Sequence, residues 1–130
     1  MIIIRRKKAD YFKYVCPHCF NQVNKCTCKI YPPWQLIFID ERMQEIIRTL
    51  NQKNYTTISC CETHYYNSLN MYVTFAMDYN LTPPEGFSYS KKEKAIEHLI
   101  KEKDKDKFET EKTKYLEILT KWAQELPDRN

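Results

Sequence analysis

Apolar residues recur along this chain with two different periods. Behind Asp40, Met43, Ile46, Ile47 and Leu50 stand at i, i+3, i+4 and i+7, which predicts a helix to about Asn51 with one buried face and Asp40 as its N-cap. Over residues 69–77, Leu69, Met71, Val73, Phe75 and Met77 alternate with Asn70, Tyr72, Thr74 and Ala76, the period of a strand buried on one side. The Thr-, Tyr- and Ile-rich run at 55–60 predicts a second strand, and Leu36-Ile37-Phe38-Ile39 a short strand or an extended lead into the first helix.

Further along, residues 82–86 form a turn, and Ser90-Lys91-Lys92-Glu93 matches a capping box ahead of Ala95, Ile96, Leu99 and Ile100, predicting another helix. Residues 101–107 alternate in sign, as a solvated surface does. Asp106 with Glu109 then caps a last helix whose Tyr115, Leu119, Trp122 and Leu126 form an apolar seam ended by Pro127. At the other end, β-prone runs at 2–6 and 11–15 flank Lys7-Lys8-Ala9-Asp10, as a hairpin would. Pro32-Pro33 continues neither ladder nor helix and marks a seam. The expected fold is α+β: an N-terminal hairpin and knuckle segment at 1–34, then a body at 35–130 in which a small antiparallel sheet is packed by about three helices.

Composition adds the compartment. With 130 residues, 42% hydrophobic and 29% charged, the chain suits one compact domain with a small appendage. Nowhere do about 18 consecutive apolar residues occur. The start, Ile2-Ile3-Ile4 followed by Arg5-Arg6-Lys7-Lys8, has the reverse order of a secretory signal. A cytoplasmic protein with no membrane partner is expected, and there six cysteines read as metal ligands, core residues or reactive thiols before disulfides.

Cys16-Pro17-His18-Cys19 and Cys26-Thr27-Cys28 are two closely spaced pairs, the pattern that brings four thiolates to one Zn²⁺. A four-thiolate set leaves no coordination position open, so the expected ion is structural. His18, between two ligands, reads as a surface histidine or a substitute for Cys28. Residues 1–34 hold seven basic side chains against Asp10 alone, a local excess of +6. Four thiolates on one divalent ion take two units from it. Arg5, Arg6, Lys7, Lys8, Tyr11 and Lys13 nevertheless combine cations with a stacking face, as single-strand binders do. A hairpin edge guarded by basic residues gives the same pattern.

Ser59-Cys60-Cys61-Glu62-Thr63-His64 is a second constellation, at a strand end. Neighbouring strand residues face opposite ways, so one of Cys60 and Cys61 is expected to face a cleft or solvent. Cys60, Cys61 and His64 form a thiol nucleophile or redox centre, bind a second metal, or are a buried cysteine, an incidental one and a loop histidine.

The stretch from Asp40 through Ile46-Ile47 and Leu50-Asn51 to Thr56-Thr57-Ile58-Ser59-Cys60 resembles the helix, strand and Ser-Cys-Ser-Gly-Arg segment of the wybutosine-synthesis transfer-RNA methyltransferase family. Those enzymes methylate a modified guanosine with S-adenosylmethionine; here Cys61-Glu62-Thr63-His64 replaces Ser-Gly-Arg. Over more of its length the chain is similar to small zinc-knuckle proteins of AT-rich bacteria and their phages, a family without an assigned reaction. There a Cys-Cys-x-Gly-His-like loop carries Gly where this chain has Thr63. The combined reading is a non-enzymatic, zinc-binding accessory or regulatory protein with a protein or nucleic-acid partner, phage-borne and directed against host defence. The alternative is an RNA-modifying or thiol-dependent enzyme centred on Ser59, Cys60, Cys61 and His64. Gly86, the one glycine, leaves no Gly-rich cofactor loop.

Overall fold

A four-stranded antiparallel sheet, ordered β3 (Thr57–Cys61), β4 (Met71–Phe75), β6 (Ala95–His98) and β5 (Ser88–Ser90), forms the centre of the molecule and is covered on one face by two helices. The computed structural model describes residues 14–17, 19–22, 25–28, 37–66 and 70–129. β1 (Tyr14–Val15) pairs antiparallel with β2 (Ile37–Phe38), followed by a 3₁₀ turn (Glu41–Met43) and α1 (Gln44–Gln52). Then come β3 (Thr57–Cys61), β4 (Met71–Phe75), β5 (Ser88–Ser90), β6 (Ala95–His98) and α2 (Lys105–Glu125).

Alternation along β4 does what its sequence dictates. Met71, Val73 and Phe75 point into the core, and Tyr72 and Thr74 face the other side. There they line, with Ser59, Asn70, Glu93 and Glu97, a polar depression of about 420 Å³. The buried row meets Ile46, Ile47 and Leu50 of α1 and Leu116, Leu119 and Ala123 of α2. Burying such side chains contributes about 1.5–3 kcal/mol each, so this layer is the main stabilising contact of the body.

Two expected features differ. The helix predicted behind Ser90 is the β5–β6 hairpin, so the described residues hold two α-helices, not about three. The Ser90 hydroxyl does accept the Glu93 N–H at 3.2 Å, as in a capping box. Lys94, at φ +57°, then turns the chain back. The β4 edge decides the outcome: pairing Ile96 with Val73 buries it fully within the core and satisfies a ladder of backbone groups, and such tertiary gains override weak local propensity.

The second difference lies at the helix starts. α2 is capped by Asp104, whose carboxylate accepts the Lys107 N–H at 3.0 Å, two residues before the expected Asp106. Its buried stripe is Phe108, Lys112, Leu116, Leu119 and Ala123, with Tyr115, Trp122 and Leu126 partly buried beside it. Asp40 precedes a 3₁₀ turn and makes no side-chain cap. Its carboxylate is used elsewhere.

The flanking described residues are tied to this body. Val15 is fully buried in the common core, and the Gln22 amide donates to Gln44 Oε1 at 3.0 Å. Lys53 Nζ donates to the carbonyls of Gln124 and Leu126 at 2.5 and 2.6 Å, closing the open C-terminus of α2. Gly86 sits at φ +84° with the Tyr115 ring against it, where a Cβ would meet Cε1 at 2.5 Å. The proposed hairpin turn, the division at 34/35 and Pro32-Pro33 lie outside the described residues. No helix among the described residues is long and apolar enough to cross a membrane.

Candidate functional site

The first site begins at the β1–β2 pair. Val15 is anchored in the core, so the next residue, Cys16, is delivered to the base of a tight turn and is 3% exposed. The turn closes through Phe20 N–H to the Cys16 carbonyl at 2.8 Å and Cys16 N–H to the Asn21 carbonyl at 2.9 Å. Phe20 takes φ +59° to make it. A second turn follows, with the Lys25 and Cys26 N–H groups both donating to the Gln22 carbonyl at 2.9 Å. The ligand atoms of Cys16, Cys19, Cys26 and Cys28 thereby lie within 4.8 Å of one another and can hold a metal ion.

The spacing is informative. Cys19 Sγ is 3.7 Å from Cys26 Sγ. A disulfide would bring two sulfurs to about 2.05 Å, whereas thiolates about 2.3 Å from a tetrahedral ion stand about 3.8 Å apart. Burial, with the neighbouring thiols of Cys19 and Cys26, pushes the Cys28 thiol up to about 12. Four sulfurs crowded this way repel as thiolates unless a cation sits among them. His18 and the basic and aromatic residues Arg5, Arg6, Lys7, Lys8, Tyr11 and Lys13 lie outside the described residues.

The second constellation is rearranged relative to its sequence grouping. Cys60 sits opposite Val73 on the core side of the sheet and packs partly against the core. Burial first, then the charges of Asp40, Cys61 and Glu62, push its thiol up to about 12. Cys61 sits opposite Tyr72 and is 6% exposed. Its thiol is also raised by burial, against which the Thr63 N–H acts, donating to Sγ at 3.3 Å. Cys61 is thus buried and Cys60 half-buried, and in both burial disfavours the thiolate a nucleophile needs.

His64 joins Cys61 but not Cys60, and both are met by Asp40. Thr63 at φ +68° bends the loop back, a conformation costly for a β-branched residue. His64 Nε2 thereby reaches Asp40 Oδ2 at 3.2 Å, and the same oxygen accepts the Glu62 N–H at 3.0 Å. Asp40, Cys61 and His64 each bring a ligand atom within 4.8 Å of the others. The loop is clamped from outside by the buried pair Lys112 Nζ–Glu62 Oε2 at 2.6 Å. Sequence reasoning missed Asp40 because it stands far from His64 in the chain and reads as a helix cap.

Tyr65 packs edge-on to Tyr66 and Phe108, while Tyr79 packs on Tyr55 and Phe75 beneath the Arg129 guanidinium. Compared with known proteins, the chain matches no family model, no curated protein and no solved structure.

Proposed function

We propose that this protein is a zinc-stapled accessory or regulatory protein that acts by binding a macromolecular partner through the basic segment its knuckle organises. The observation that carries this reading is the convergence of four thiols, Cys16, Cys19, Cys26 and Cys28, within 4.8 Å of one another, with the Cys19 and Cys26 sulfurs at the separation of a tetrahedral thiolate site. Zn²⁺ suits that donor set: it prefers soft thiolates in a tetrahedron. Such a set is closed and supplies folding energy in place of chemistry. The segment it staples carries the local excess of basic side chains at 1–34.

Nucleic acid and protein as partners are separated by salt. A nucleic-acid complex that neutralises Z phosphates weakens with a log–log slope of about −0.9Z, whereas a protein interface with an apolar core keeps most of its affinity. The experiment is capture from the host with both macromolecules identified, followed by titration of the captured partner between low and moderate salt. Cys16→Ser, which opens the knuckle, is expected to abolish capture. Capture of the same partner at parent level by Cys16→Ser would overturn the reading. The alternative of a thiol-dependent enzyme is weighed against the burial of Cys61 and the partial burial of Cys60.

A further inference from the structure

We infer that Asp40, Cys61 and His64 form a second metal centre, a three-ligand site for a divalent transition ion with a coordination position left for solvent. Three observations carry it, and none depends on the knuckle. The donors are one carboxylate, one thiolate and one imidazole, each a Zn²⁺ ligand type, and their ligand atoms converge within 4.8 Å. Cys61 and His64 stand three residues apart, at the end of β3 and in the loop beyond it, and the fold brings to them Asp40, the residue before the 3₁₀ turn, from more than 20 residues away.

The surroundings are arranged as supports of a metal site. The Glu62 N–H fixes Asp40 Oδ2 at 3.0 Å, and the Thr63 N–H points at Cys61 Sγ at 3.3 Å. Outer hydrogen bonds of this kind orient ligands and set their basicity. Thr63 holds a left-handed conformation at the point where the loop must return, and strain of that sort persists where surrounding structure enforces it. The Glu62–Lys112 pair pins the loop to α2 and, being neutral as a unit, adds no net charge.

The ligand count distinguishes this centre from the knuckle. Three protein donors leave a tetrahedral ion one position, and His64, 43% exposed at its side chain, puts the site at the surface where water or a small anion can fill it. The His64–Asp40 separation of 3.2 Å matches the edge expected between a nitrogen and an oxygen each about 2.0 Å from zinc. A plain hydrogen bond has the same length, so only metal binding itself separates the two.

The test is native mass spectrometry and zinc titration of the full chain, with cadmium NMR to identify donors. The parent is expected to bind two ions, one all-thiolate and one of mixed donors. His64→Ala changes a half-exposed side chain and is expected to keep the fold, bind one ion and lose the mixed-donor resonance. Asp40→Asn is expected to weaken the second ion by more than about 100-fold, beyond the loss typical of an outer partner. Cys16→Ser is expected to retain the second ion only. A parent that binds one ion, unchanged by His64→Ala and lost in Cys16→Ser, overturns this centre and leaves the knuckle standing. One ion kept in Cys16→Ser and lost in His64→Ala does the converse.

Discussion

Single side chains decide how the second constellation is used. Asp40 is the clearest case: next to an amphipathic run it reads as an N-cap, yet its carboxylate accepts the Glu62 N–H and meets His64. Nothing in the local sequence signals this, because the partner residues lie one strand away. Cys60 and Cys61 were partly legible, since alternation alone requires them to part. Cys61 is nevertheless buried, with the Thr63 N–H of the following loop on its sulfur. Cys60, with its thiol pushed up to about 12 mainly by burial, is expected to stay almost wholly protonated at pH 8. Alkylation followed by peptide mapping should show its rate rising about tenfold per pH unit through pH 11. A plateau near pH 9, as for an ordinary thiol, would contradict this. The Glu62–Lys112 pair makes a second residue-scale prediction. Lys112→Met leaves Glu62 buried without its cation and should cost about 3–5 kcal/mol in urea denaturation, most of it recovered by adding Glu62→Leu.

At the scale of elements, periodicity was a good guide where one period ran long enough. α1 and β4 follow from Met43, Ile46, Ile47 and Leu50 and from the alternation around Val73. The β5–β6 hairpin was not legible, because Ser90 and Glu93 form the same local hydrogen bond at a turn as at a helix start. The choice between them is made by the exposed edge of β4, which no local window contains. The stripe of α2 was displaced for a related reason. Tyr115 and Trp122 are large enough to look like core but lie beside it, Trp122 sending its indole N–H to the Thr82 carbonyl at 3.0 Å. Leu119 belongs to both readings and is fully buried. Leu119→Ala should therefore cost about 2–5 kcal/mol, read as a lowered denaturation midpoint. A loss below about 1 kcal/mol would mean that α2 does not pack on the sheet as described.

For the whole molecule, the knuckle is tied into the same core as the sheet. Val15 is buried with Met71 and Leu119, and β1 is held by β2 just ahead of α1. Metal binding at Cys16, Cys19, Cys26 and Cys28 should thus stabilise the body as well as its own loops, since an ion that binds only the folded chain adds its binding free energy to folding. The four-cysteine cluster was legible because spacing carries the chemistry: two short turns can aim four sulfurs at one point. A partner for the basic segment was not legible, because electrostatic and aromatic patterns are shared by binding surfaces and guarded strand edges.

The central claim is that four thiolates hold one zinc ion as a closed staple. Zinc-edge X-ray absorption on the chain carrying His64→Ala, which removes the second centre, tests it most directly. Four sulfur neighbours at about 2.3 Å and one zinc per chain are predicted. A shell in which nitrogen or oxygen replaces two of the sulfurs, or a folded chain that retains no zinc, would contradict it.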